Sequence, residues 1–414
     1  MTARVHPVVV VGAGPAGCAA ALCLARQGIE VRLLEAARFP RDKVCGDVLL
    51  PEARDVLEQM GISTSLFASR RHLITGCRYV TPSGRVLEAE FRDLEGRPRP
   101  WWSLRRIEID QVLVDQVRAA GVAVEEGVRA RGLLVEGGAI VGVTARDAAG
   151  DTIEVRASAV IAADGASSVL ARRAGLHGQP TTHLCVSQRG YVDAGAAGEA
   201  SLFSIFTTAR TLPGCTWCVP LGAGRANVGV GVLRADLDRR GGSLSTLADE
   251  AAARHPEFAQ VWSPRPALRG WSLPGASWPR RRTRPGLLLV GDAGGMVDPF
   301  TGHGIHTALR AGRLAGEVLA RALARGEVGL DALAPFELAW QRDFALEARL
   351  GWLLQRLCAS PWRVEALVRY VDGGARRRAL VGGLVGHAFP RQALLSPASW
   401  IGRRGGRARE EGAG

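Results

Sequence analysis

Lys43 is the one lysine among the 53 basic residues of this 414-residue chain, and it stands just before a Cys45–Gly46 pair in the stretch FPRDKVCGD. A thiol can donate a proton or change redox state, so what matters is the group this segment is held against. Shortly upstream lies GAGPAG, residues 12–17, between an apolar run and an alanine-rich one. Gly12 permits a tight turn, Gly14 lets a pyrophosphate approach the backbone, and Gly17 allows helix and strand to pack closely. Pro15 and Ala16 open the helix, whose N-terminus offers positive potential to phosphates. Glu35, followed by Ala36, lies 18 residues past Gly17 at the end of a second strand-like run, where a carboxylate can accept hydrogen bonds from a ribose. The pattern predicts dinucleotide binding and leaves NAD or FAD open.

Two later motifs point to a flavin. VIAADGASSVLAR (160–172) sets Asp164–Gly165 at the end of an apolar strand. GLLLVGDAGGMVDPFTGHGIHTALRAG (286–312) sets Gly291–Asp292 at the end of another, followed by Pro299 and a glycine-rich helix start. Asp292 is placed to bind ribityl or ribose hydroxyls. The amides around Gly302, Gly304 and Ile305 would form a helix N-terminus beneath the N1/C2 carbonyl side of an isoalloxazine, stabilising an anionic reduced ring. Arg106, in RRIEIDQVL, is the further expected contact to FAD.

Taken in this order, GxGxxG with its glutamate, R-x-x-x-D, D-G and G-D resemble the flavoproteins of the para-hydroxybenzoate hydroxylase fold. Within that fold, KVCGD, GCTWCVPLGAGRANVGVGV and DPFTGHGI look most like the geranylgeranyl reductase family, over about residues 5–395. The resemblance implies that Lys43, Cys45 and Gly46 lie near the flavin ring. Cys45 is then either a group that donates a proton or tunes the flavin, or a small residue packed on the ring. Asp47 stands where the fuller family pattern has a second glycine. The family's substrate-contacting aromatic-x-Trp-x-Phe-Pro pattern becomes Cys215, Trp217, Val219 and Pro220, so Trp217, Cys215 and Pro220 are the expected substrate contacts in an altered pocket. Cys215 and Cys218 are three apart on a strand and face opposite sides, which argues against a disulfide or metal site. His303 stands where relatives often carry an acid, and is a candidate catalytic group or a packing one. Flavin halogenases share the fold and an FPR…LLP stretch, but depend on a lysine in the strand region that follows; residues 72–92 contain none.

Those residues need an α/β scaffold: a FAD-binding Rossmann-like domain of the para-hydroxybenzoate hydroxylase type, with an inserted antiparallel β-sheet substrate domain and a helical C-terminal region. Residues 1–75, 101–176 and 277–330 are expected to form the first, 76–100 and 177–276 the second, and 331–400 the third, with 401–414 a disordered tail. Residues 122–162 read as a β-meander rejoining the main sheet, and 177–269 as strands. In the helix expected over 331–358, Arg342, Arg349 and Arg356 fall seven apart, opposite Trp340, Phe344 and Leu354.

The net charge of +13 is carried by scattered arginines with few aromatics among them, so no nucleic-acid partner is expected. Eight cysteines without framework spacing favour a reducing, cytoplasmic setting, with a peripheral contact to the inner face of the membrane left open. The expected chemistry is FAD-dependent reduction of carbon–carbon double bonds in a prenyl-type or other apolar small molecule. NAD(P)H or another reductant would recharge the flavin. The alternative is a monooxygenase acting on an aromatic or specialised metabolite. No metal is expected, and oligomeric state is not legible.

Overall fold

In the computed structural model, which describes residues 6–396 and Ser399, the strand His6–Val11 lies at the middle of an eight-stranded sheet. Val8, Val9 and Val10 are fully buried because helices cover one face and a β-meander the other. Val31–Glu35 pairs with it in parallel on one side and Thr152–Ala162 in parallel on the other. Ala123–Glu126 and Leu287–Leu289 extend the parallel set outward. The chain thus leaves its central strand first to one side and later to the other, and such a reversal opens a crevice at the carboxyl ends of the strands. The 12–17 loop sits at that crevice. The helices of this part are α1 (Pro15–Ala25), α2 (Pro51–Gln59), α3 (Arg106–Ala119) and the short α4 (Val169–Arg173). The expected meander is present as antiparallel Arg129–Glu136, Ala139–Arg146 and Thr152–Ala162.

A seven-stranded sheet draws its strands from Gly76–Val80, Val86–Glu90 and five segments between Leu184 and Pro274. Its pairings are antiparallel except one, Leu202–Phe206 beside Gly76–Val80. The sequence reading placed only strands in this region. Three helices also occur there: α5 (Arg234–Arg240), α6 (Leu244–Arg254) and α7 (Pro256–Trp262). Leu247, Phe258 and Trp262 pack on Val228, Val230 and Cys218 and close one face of the sheet. The other face looks toward the flavin-type crevice. A small sheet of Val48–Leu49, His72–Ile74 and Trp101–Ser103 joins the two parts.

The chain then returns through Leu287–Leu289 into α8 (Ile305–Ala324), which lies against α1. Gly312 and Gly316 make this close approach possible: a Cβ on Gly312 would stand 2.1 Å from the Ala16 carbonyl oxygen, and one on Gly316 2.8 Å from Cys23 Cβ. The C-terminal region is α9 (Leu330–Leu357), α10 (Pro361–Asp372) and α11 (Ala375–Val385). Trp340 and Phe344 are buried and stacked, as the heptad of arginines implied. The arginine face is less polar than expected, for Leu338, Leu346, Leu353 and Leu357 are exposed beside Arg342, Arg349 and Arg356. The expected tail, 401–414, lies outside the described residues.

Candidate FAD and substrate site

The 12–17 loop is shaped by contacts that exclude side chains. Gly12 has φ +100°, and a Cβ there would stand 2.4 Å from the Ala163 carbonyl oxygen. A Cβ on Gly17 would stand 1.8 Å from the Gly12 oxygen. At Gly14 the same construction meets only an Arg41 guanidinium nitrogen, at 4.0 Å. The loop is therefore closed where backbone meets backbone and open where a phosphate would enter. No side chain caps α1, whose first residue is Pro15, and none caps α8 after Gly304. Two uncapped helix starts leave amide donors for a ligand to satisfy. The residues present fit FAD.

Glu35 holds the loop from behind. Its Oε2 accepts from the Ala13 amide at 2.8 Å and its Oε1 from the Ala37 amide at 2.9 Å, with Ala36 between strand and turn. Arg106 is buried and donates to both oxygens of Asp110, at 2.9 and 2.8 Å, while Arg41 reaches the same carboxylate at 2.6 Å. Burial opposes the Asp110 charge, but the two guanidinium groups outweigh it and hold the carboxyl below its usual range. The predicted R-x-x-x-D pair is thus one helical turn of α3.

Asp164 joins the end of its strand to α4. Its carboxylate accepts from Ser168 Oγ at 2.6 Å and from the Val169 amide at 2.9 Å, and so holds Ser168, the N-cap of α4. Gly165, at φ +81°, turns the chain beside Trp271. Gly291, at φ +60°, ends the returning strand and presents Asp292. The sole lysine meets it there: Lys43 Nζ donates to Asp292 Oδ2 at 3.2 Å and stands 5.1 Å from the centre of the Trp271 ring. Lys43 therefore ties the Cys45 segment to the strand end predicted to hold the flavin hydroxyls.

One cavity runs from these loops to the face of the seven-stranded sheet. Pro15, Lys43, Cys45, Gly46 and Arg106 line it from one side, and Asp292, Pro299, Gly302, His303, Gly304 and Ile305 from another. Cys215, Trp217 and Val219 form part of the sheet wall, joined by Phe203, Leu233 and Leu273. Pro220 corrects the sequence reading. A strand alternates its faces every residue, so the odd positions 215, 217 and 219 reach the cavity. Pro220 turns away, and its carbonyl accepts from Ser103 Oγ at 2.5 Å. The same alternation separates Cys215 from Cys218, which lies in the core beneath α6 and α7, and both thiols are free.

Asp47 and Asn227 were missed as site residues, although Asp47 was noted as a departure from the family pattern. Asp47 is fully buried at φ +60°. Its Oδ1 accepts from the Arg106 amide at 2.9 Å and its Oδ2 from Asn227 Nδ2 at 2.8 Å. Asn227 Nδ2 also donates to the Cys45 carbonyl at 2.8 Å, and Asn227 Oδ1 accepts from Trp217 Nε1 at 3.0 Å. One buried amide therefore fixes both the Cys45 turn and the Trp217 ring. No local signal marks this network, because Asp47 and Asn227 are 180 residues apart.

Burial pushes the Asp47 carboxyl up to about 6, against the hydrogen bond from Asn227. The folded protein thus binds this proton more tightly than the unfolded chain. The resulting stability is complete below pH about 4 and is lost as the pH rises through about 6. From about two pH units below the lower limit to about two above the upper one the wild type should lose about 3 kcal/mol relative to Asp47→Asn, which has no proton to release, and about 2 kcal/mol of this between pH about 4 and about 6. Asparagine tolerates the positive φ, so urea midpoints of the two FAD-loaded proteins across this range measure the difference. A gap that stays constant with pH would exclude an ionising Asp47.

Burial also raises the Cys45 thiol, although Arg106 beside it opposes the shift, and Cys45 keeps its proton. His303 is half-buried and desolvation lowers it to about 4, so its imidazole is neutral; its Nδ1 has no partner among the described residues and its ring stands edge-on to Trp101 at 4.9 Å.

Residues 5–334 match the family model described as an FAD binding domain. The chain belongs to this FAD-binding family. It is 34% identical to the menaquinone reductase of Mycolicibacterium smegmatis over 362 residues, 84% of each chain. It is 35% identical to digeranylgeranylglycerophospholipid reductase 1 of Methanopyrus kandleri over 340 residues, 81% of this chain and 86% of the other. Its fold matches a geranylgeranyl bacteriochlorophyll reductase-like structure from Thermoplasma acidophilum with TM-score 0.80 at 24% identity, covering 95% and 98% of the two chains. The resemblance to the geranylgeranyl reductase family is borne out, and the protein is an FAD-dependent oxidoreductase.

Proposed function

We propose that this flavoenzyme reduces a carbon–carbon double bond in the isoprenoid chain of a lipid or quinone. The observation that carries the proposal is the apolar wall of Phe203, Trp217, Val219, Leu233 and Leu273, continuous with the loops that fit FAD. Relatives named for a menaquinone and for a digeranylgeranyl lipid support it, since both molecules carry such a chain. FAD, when bound and reduced by NAD(P)H or another donor, supplies a hydride to one alkene carbon. The chain's own residues do the rest. The Asp47–Asn227 pair fixes Trp217 as a wall against which an isoprene unit can lie, and apolar side chains keep water from the reacting carbons. Cys45 holds a proton at Sγ in the same cavity, and the Arg106 cation beside it would stabilise the thiolate left after transfer. His303, whose neutral ring lines the same space, is the second candidate group.

The substrate's solubility requires a route from a bilayer. The exposed leucines 338, 346, 353 and 357 alternate with Arg342, Arg349 and Arg356 on one face of α9, and Trp362 is exposed at the start of α10. Such a face suits an anionic lipid surface. Gln355, on the inner side of the same helix, lines the cavity. Among the described residues, no helix is long and apolar enough to cross a membrane.

The test is anaerobic mixing of the reduced holoenzyme with a geranylgeranyl lipid in vesicles, followed by flavin absorbance and product mass. Reoxidation with a gain of two hydrogens per turnover is expected, faster with anionic than with neutral vesicles. Reoxidation that needs oxygen and yields a hydroxylated product would replace this reading with a monooxygenase.

A further inference from the structure

We propose that Glu52, His306 and His387 form a binding site for a divalent transition-metal ion of the zinc class. One potential ligand atom from each lies within 4.8 Å of the others. They arrive from three separate places: the first turn of α2, the first turn of α8, and the turn after α11. His306 Nε2 stands 3.5 Å from Glu52 Oε2. That is long for a hydrogen bond but close to the edge of a tetrahedron with metal–ligand bonds of about 2.0 Å, roughly 3.3 Å. His306 is 7% exposed and its Nδ1 has no partner among the described residues, so this imidazole is buried with little there to satisfy it.

The tautomer of His387 follows from its neighbours. Thr301 Oγ1 donates its one proton to Asp298 Oδ1 at 2.9 Å, so at its 3.0 Å contact with His387 Nε2 it must accept. His387 Nε2 therefore carries hydrogen, and Nδ1 keeps the lone pair a metal needs. Asp298, Thr301 and His387 make a carboxylate–hydroxyl–imidazole chain that orients the ring in the way metal-binding histidines are oriented. His387 sits at φ +49°, a left-handed conformation uncommon outside glycine. The His306 and His387 rings meet edge to face at 5.1 Å. Two imidazoles and one carboxylate suit zinc, cobalt or nickel, with solvent completing the set. Glu52 is partly exposed and gives the ion a way in. Because His306 also lines the cavity, a bound ion would stand at the wall of the flavin and substrate space, and it would tie α11 to α2 and α8.

Tag-free, FAD-loaded protein, stripped with chelator and dialysed against zinc, should retain one zinc per chain beyond solvent and show a raised thermal midpoint. Glu52→Gln, at a partly exposed position, and His387→Asn, which suits the positive φ, should each weaken zinc binding by at least about 10-fold, the least that loss of even an outer partner costs a metal site. Both should keep their flavin content. No retained zinc, or zinc retained equally by both variants, would overturn the proposal. If His387→Asn does not fold, Glu52→Gln alone decides.

Discussion

Gly12→Ala should yield a protein that purifies without FAD. The new Cβ would stand 2.4 Å from the Ala163 oxygen and 2.8 Å from its carbonyl carbon, at a φ of +100°. Neither neighbour can withdraw. The Ala163 amide is bonded to the Val11 carbonyl at 2.8 Å, and the Gly12 amide to Leu34 at 2.7 Å, so both belong to the parallel sheet. Positive φ costs about 1–2 kcal/mol for an L residue, and overpacking typically adds about 1–3 kcal/mol. The cheapest relief is movement of the loop away from the strand end, which turns the α1 amides from the pyrophosphate position. Gly14→Ala makes the comparison sharp, because its Cβ meets only the Arg41 side chain at 4.0 Å. That variant should fold with an unchanged thermal midpoint as apoprotein, yet bind FAD more weakly, since the methyl fills the space left for phosphate. The ratio of flavin to protein absorbance and the apoprotein melting curve separate the two. A fully yellow Gly12→Ala protein would mean that the loop does not hold the cofactor as the geometry requires.

What made this part of the site legible is that its chemistry is local. GAGPAG, the Arg106–Asp110 turn and the Gly291–Asp292 strand end are each marked by residues adjacent in sequence or one helical turn apart, and Glu35 is marked by its place at the end of the next strand, although the amide it holds, Ala13, lies 22 residues away. Pro220 was misplaced because a motif gives spacing but not the face of a strand, and the face is set by pairing with Arg225–Leu233. Asn227 was invisible for a related reason: an asparagine in a glycine–valine strand carries no signal until Asp47 and Trp217 are brought against it. Helices α5 to α7 were missed because α5 and α7 span only seven residues each; their stability comes from the sheet they cover rather than from their own pattern. Lys43 lies between these cases. Its uniqueness drew attention, but only the fold shows that its partner is Asp292.

Arg391→Met should cost about 3–5 kcal/mol and weaken FAD binding although Arg391 belongs to the C-terminal region. Its guanidinium donates to Asp298 at 2.5 and 2.9 Å, and both side chains are almost fully buried. Asp298 in turn organises the loop before α8: its carboxylate accepts from the amides of Phe300 at 3.0 Å and Thr301 at 2.8 Å. Its backbone closes the turn through Gly302 and His303. Burial alone would favour a neutral Asp298, but Arg391 outweighs it and holds the carboxyl well below the usual range. Without Arg391 the carboxylate must stay charged and unpaired in the interior or take a proton. In the second case it becomes a poorer acceptor for the amides that shape residues 298–304. Either outcome disturbs the uncapped start of α8 at Gly304 and Ile305, where the flavin ring is expected to lie. Asp298→Asn combined with Arg391→Met removes the orphaned charge and should recover part of the stability, a coupling that a double-mutant cycle on thermal midpoints reads directly. A loss below about 1 kcal/mol for Arg391→Met would indicate that solvent reaches Asp298 and that the loop is held by its amides alone. A large loss accompanied by loss of yellow colour would make the C-terminal region part of the cofactor site, because the segment that ends the described chain would then set the shape of the loop that meets the flavin.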